Sequence, residues 1–100
     1  MAELSTIARP YAKAAFEYAR DKGQLSQWDE ELAAVAAVSL DATMDGVLHN
    51  PALTAEQQAQ TLNTVCGESL GAETRNFVVI LASNRRLGLL PEIHSLFAQY

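Results

Sequence analysis

The chain reads as all-α, a single domain built as a six-helix bundle, and three observations predict this. Apolar residues recur at helical spacing in one segment after another. Gly, Pro and Asn-Pro punctuation cuts those segments into helix-sized lengths. The one run that could be a buried strand, FVVILA at 77–82, has no second strand-like run with which to satisfy its backbone groups. One hundred residues suffice for one modest core, and 49% hydrophobic against 19% charged residues excludes a disordered chain.

The first predicted helix opens near Ser5-Thr6, tolerates Pro10 close to its first turn and ends at Gly23, a natural terminating residue. The second starts around Gln24 to Ser26, carries Trp28, Leu32, Val35 and Ser39 on one side, and runs out near Leu40. A short third piece covers about Ala42 to His49 and is closed by Asn50-Pro51. Thr54 and Gln57 form a capping box that starts the fourth, with a stripe of Ala55, Ala59, Leu62, Val65 and Cys66; Gly67 and Gly71 bracket its end. The fifth spans Glu73 to Asn84, with Phe77, Val78, Leu81 and Ala82 on one side and Asn76, Val79, Ile80 and Ser83 on the other. It is apolar nearly all round, as befits a helix at the centre of a bundle or one covered from outside. The sixth begins between Leu87 and Pro91 and shows Ile93, Leu96, Phe97 and Tyr100 at helical spacing. That stripe is unfinished at Tyr100, so a longer parent chain is expected.

Ile7 to Tyr18 (IARPYAKAAFEY) is the most informative stretch. Stepped at about 100° per residue, its apolar side covers roughly 200° of arc, about twice the stripe of an ordinary surface helix. Arg9, Lys13, Glu17 and Arg20 share the opposite face. The arc divides by chemistry. Ala8, Ala12, Phe16 and Ala19 suit a dry core, whereas Ile7, Tyr11, Ala14 and Tyr18 bring two phenols that stay wet or need acceptors. Two readings of this second edge stand open: a groove for a partner, or a surface covered by the domain's own helices.

Composition narrows the function classes. Twelve acidic against seven basic residues give a net charge of −5, which argues against nucleic acid as a partner, and Arg85-Arg86 is the largest basic cluster. No run approaches a membrane span. The amino terminus has neither a secretory-signal nor a transit-peptide layout, so a bacterial cytosolic protein is expected. The single Cys66 fits a reducing compartment and reads as a buried, inert thiol. His49 and His94 form no metal-ligand pattern with it, and Gly67, Gly71 and Gly88 make no phosphate loop. Glu30-Glu31 reads as a solvated helix face rather than a catalytic pair. Neither an enzyme nor a bound cofactor or metal is expected.

Arg9-Pro10-Tyr11-Ala12-Lys13-Ala14-Ala15-Phe16, together with Asn84-Arg85-Arg86-Leu87 and Leu90-Pro91-Glu92-Ile93, resembles the delta subunit family of bacterial F-type ATP synthase, called OSCP in mitochondria. The resemblance covers the whole chain and keeps the order and spacing of the motifs. It implies that residues 1–100 are the amino-terminal six-helix domain of a longer subunit, with the carboxy-terminal domain absent. It further implies a non-catalytic connector, peripheral at the cytoplasmic face of the inner membrane. Such a connector ties the catalytic head to the peripheral stalk and acts as part of the stator in proton-driven ATP synthesis.

In that family the amino-terminal domain is similar to a receptor for the amphipathic amino-terminal helix of an alpha subunit, held between the first and fifth helices. The b-type stalk subunits would meet the absent domain, and the isolated domain is expected to be monomeric. Carried onto this sequence, the groove is expected to use Tyr11, Ala14, Ala15 and Tyr18 from the first helix and Asn76, Val79 and Ile80 from the fifth. Small alanines allow close approach of a guest helix, the tyrosines frame it, and Asn76 can set register. The competing reading is an all-helical adaptor that docks an unrelated amphipathic helix.

Overall fold

Local rules place the helices, and a computed structural model describes the result for residues 2–100, with side chains from Leu4 onward. Six α-helices follow in order among the described residues: α1 (Ala2–Asp21), α2 (Leu25–Ser39), α3 (Ala42–Leu48), α4 (Ala55–Cys66), α5 (Ala72–Ser83) and α6 (Leu90–Gln99). Short 3₁₀ turns at Gly67–Ser69 and Leu87–Leu89 lead out of α4 and into α6. FVVILA is helical within α5.

α1 begins at Ala2, a turn earlier than Ser5-Thr6, so Pro10 lies in the helix interior rather than near its first turn. Pro10 is exposed, and the helix is anchored on either side of it by the buried Ala8 and Ala12. Gly23 ends α1 with φ of +67°. Its N–H donates to the Arg20 carbonyl at 3.1 Å and that of Gln24 to the Ala19 carbonyl at 2.8 Å, a Schellman closure. α5 closes the same way through Arg85 at φ +57°. The Arg85 N–H reaches the Ala82 carbonyl at 2.9 Å, and the Arg86 N–H reaches that of Leu81 at 2.8 Å. The Thr54–Gln57 capping box opens α4, each side chain bonding the other's backbone N–H at 3.0 and 2.9 Å.

The core lies where α6 packs between α1 and α2 and where α4 packs on α5. Leu32, Val35, Leu62, Val78, Leu81, Leu90 and Ile93 are fully buried in it. α1 and α6 run in the same direction. Ser5 Oγ donates to Glu92 Oε1 at 2.6 Å near their starts, and the Phe16 ring meets Phe97 and Tyr100 near their ends at 5.7 and 5.4 Å.

Three apolar assignments are corrected. Phe16 is half-buried at the α1–α6 edge, its ring against Phe97 and Tyr100, rather than sealed in the core. Val65 is 58% exposed although it shares the stripe of Leu62 and Cys66, and Tyr100 is 46% exposed although it continues that of α6. A stripe names a face; whether a neighbour reaches its margin depends on how the helices cross.

Long-range polar contacts lock the packing. The buried Gln58 amide nitrogen faces the carbonyls of Val47, Leu48 and Asn50, each at 3.2 Å, where α3 ends, and its oxygen accepts from Arg85 Nη1 at 3.1 Å. Arg75 does the same for the end of α4. Its Nε donates to the Leu70 carbonyl at 3.2 Å, its Nη1 to that of Asn63 at 3.4 Å, and its Nη2 to that of Gly67. These side chains satisfy carbonyls that a helix leaves without intrahelical partners.

Candidate helix-binding groove

The wall formed by α5 is set from its first turn. Gly71 caps α5 without a side chain of its own, and the Glu31 carboxylate reaches over from α2 to accept the Gly71 N–H at 2.7 Å. The Thr74 and Gln27 side chains also favour the charged form of this carboxylate. Burial pushes the Glu31 carboxyl upward, but the Gly71 N–H together with Thr74 and Gln27 outweighs it and holds the group below its ordinary value. Glu31 is therefore no solvated surface acid: it is 8% exposed and fastens α5 to α2, whereas Glu30 is exposed.

Between α1 and α5 lies an apolar cleft of about 340 Å³. Trp28 of α2 and Phe77 of α5 form its floor together with Ala15, all buried. Tyr18, Trp28 and Phe77 stack edge to face in a row, with centroids 5.7 Å apart at each step, an arrangement that aromatic quadrupoles favour. Ala14 and the half-exposed Tyr18 form the α1 side; Ala72, Glu73, Asn76 and Ile80 form the α5 side. The Tyr18 hydroxyl donates to Glu73 Oε2 across the cleft. That bond first, then desolvation and the Glu73 charge, raise the Tyr18 phenol above its ordinary value.

Five of the seven residues expected in the groove meet there: Ala14, Ala15, Tyr18, Asn76 and Ile80. Among them Ala15 belongs to the floor, at 3% exposure. Tyr11 and Val79 do not line the cleft. Tyr11 sits a turn earlier on α1, half-buried against the core. Val79 is turned toward α4, where with Ala59, Asn63 and Arg75 it borders a separate shallow depression. Sequence reasoning missed Trp28, Ala72, Glu73 and Phe77 as lining residues. Trp28 and Phe77 both pack in the core, and each also shows an edge to the cleft.

The remaining reactive side chains are otherwise engaged. His49 Nδ1 lies 3.2 Å from Asp45 Oδ1, and His94 Nε2 lies 3.3 Å from Asp29 Oδ1. Burial pushes the Cys66 thiol up by more than Arg75 pulls it down, so its nucleophilic form is disfavoured. Among the described residues no group of three His, Cys, Asp or Glu side chains is placed to hold a metal, and no helix is long and apolar enough to cross a membrane.

Comparison with known proteins places this architecture. The family model described as the ATP synthase delta (OSCP) subunit matches residues 7–100. The chain is similar to the ATP synthase subunit delta of Hahella chejuensis (strain KCTC 2396), 58% identical over 99% of this chain and 56% of the relative. It is also similar to the ATP synthase subunit delta of Marinobacter nauticus (strain ATCC 700491 / DSM 11845 / VT8), 47% identical over 100% of this chain and again 56% of the relative. It thus spans little more than half the length of these curated relatives. A match over nearly every residue described above, α1 through α6, means that this chain belongs to the ATP synthase delta (OSCP) subunit family.

Proposed function

We propose that this chain is the amino-terminal domain of an ATP synthase delta subunit and that its α1–α5 cleft receives the amino-terminal helix of an alpha subunit. The subunit then acts as a non-catalytic connector in the stator, peripheral to the membrane. This domain holds the catalytic head, and the remainder of the subunit meets the b-type stalk. The observation that carries the reading is the cleft itself: small residues on α1, aliphatic and amide groups on α5 and an aromatic floor suit an amphipathic helix laid between the two. Asn76, which makes no side-chain hydrogen bond among the described residues, has its amide available to set the guest's register.

Burial is the driving force. Tyr18 and Ile80 are 38% and 45% exposed in the free domain, and a guest helix covering them removes apolar surface from water. Trp28, the one tryptophan, lies in the floor and is a built-in probe. The test is titration with a synthetic alpha-subunit amino-terminal peptide, read by Trp28 fluorescence and calorimetry. Saturable binding with a negative heat-capacity change is expected. Ala14→Asp should leave the fold intact, because residue 14 is exposed, yet weaken binding by at least about a hundredfold through an unpaired carboxylate beneath the guest. No binding of the alpha peptide, or binding indifferent to Ala14→Asp, would favour an adaptor for a different helix or a different surface.

A further inference from the structure

The cleft has two chemically different ends. Glu73 lies in the first turn of α5 and Ile80 two turns later, about 10 Å further along at a rise of 1.5 Å per residue. Glu73 is the only charged side chain in the lining. Among the described residues it forms no ion pair, and its hydrogen-bond partner is the neutral Tyr18 phenol. Lys22 lies with Nζ over the Tyr18 ring, 5.7 Å from its centroid, and does not pair with the carboxylate. The position of Glu73 at a helix start is favourable in the free domain, where water also solvates it.

A guest helix changes that balance. It removes the water, and one phenol donor does not compensate a desolvated carboxylate. We propose, on the reading of the cleft given above, that Glu73 makes the groove selective for a guest helix carrying a lysine or arginine at the α5 start, about two turns from the apolar residue that packs on Ile80. The guest cation takes over the carboxylate that Tyr18 holds in the free domain. A guest with an acidic residue in that register meets like charge and is rejected.

The experiment is a double-mutant cycle. The 100-residue chain and its Glu73→Gln variant are titrated, by Trp28 fluorescence, with the alpha amino-terminal peptide and with peptides in which each Lys or Arg is replaced singly by Gln. Glu73→Gln should weaken binding by about three- to tenfold at low salt, with the loss shrinking as salt rises. One guest substitution should cost the same factor against the parent domain and almost nothing against Glu73→Gln. Tyr18→Phe, which releases the carboxylate, should bind this guest at least as tightly as the parent does. Glu73 is exposed in the free domain, so Glu73→Gln should keep the fold, which thermal melting checks, and Glu73→Ala must show the same coupling to the same guest residue. Equal or tighter binding by Glu73→Gln, or no guest residue that couples to it, overturns the proposal while the groove reading stands. Failure of the peptide to bind the parent domain at all overturns both.

Discussion

Glu31 offers a sharp test of how the groove wall is built. Its carboxylate is 8% exposed and accepts the Gly71 N–H at 2.7 Å, and Thr74 and Gln27 also favour its charged form. Hydrogen bonds to a charged group contribute about 1.5–3 kcal/mol each at most, and the contribution is smaller when a neutral acceptor of the same shape replaces the charge. Glu31→Gln keeps the shape and an acceptor oxygen, so a loss of about 1–2 kcal/mol is expected at neutral pH. For a domain this size that corresponds to a melting point lower by roughly 4–16 °C.

The pH dependence follows from the sign of the shift. The folded-state value lies below the ordinary one, so the charge contributes stability above the unfolded-state value and loses it as pH falls through the folded value. Thermal melts of parent and Glu31→Gln should therefore differ most near neutrality and converge as pH falls below about 5. A gap of the same size at both pH values would refute the reasoning. The loss would then come from packing, and the charge would play no part in holding α5.

Three further substitutions separate stability from recognition. Phe16→Ala should cost about 2–3 kcal/mol, less than the 3–5 kcal/mol of an enclosed ring, because its ring is half-buried against Phe97 and Tyr100; chemical denaturation measures it, and a peptide affinity lost without any loss of stability would place Phe16 in the interface instead. Ile80→Ala should weaken alpha-peptide binding more than Lys13→Ala, since Ile80 lines the cleft and Lys13 does not. Raising salt should weaken the parent's binding by less than about tenfold, as expected when apolar burial dominates and charges are screened within about 8 Å. Steep salt dependence with an unaffected Ile80→Ala would move the docking site to a charged surface elsewhere.

What was legible in the sequence was everything governed by near neighbours. The 3.6-residue period sorted Phe77, Val78, Leu81 and Ala82 from Asn76, Val79, Ile80 and Ser83 on α5, and the structure buries the first four and exposes the second. Gly23 and the Thr54–Gln57 box marked helix ends because a left-handed turn and a reciprocal cap are each settled within a few residues. The same local logic put the α1 start a turn too late, at Ser5-Thr6, which lies inside the helix.

Only the tertiary structure decided which margins of those faces are covered. It left Phe16 and Val65 partly or largely open, set Tyr11 and Val79 outside the cleft, and made Ala15 part of its floor. It also decided the polar pairings that shape the site. Glu31 meets Gly71 forty positions away, and Tyr18 meets Glu73 fifty-five positions away. Helical periodicity fixes the direction of a side chain relative to its own axis, but the crossing of two axes fixes what that side chain meets, and the crossing is settled by the packing of the whole core.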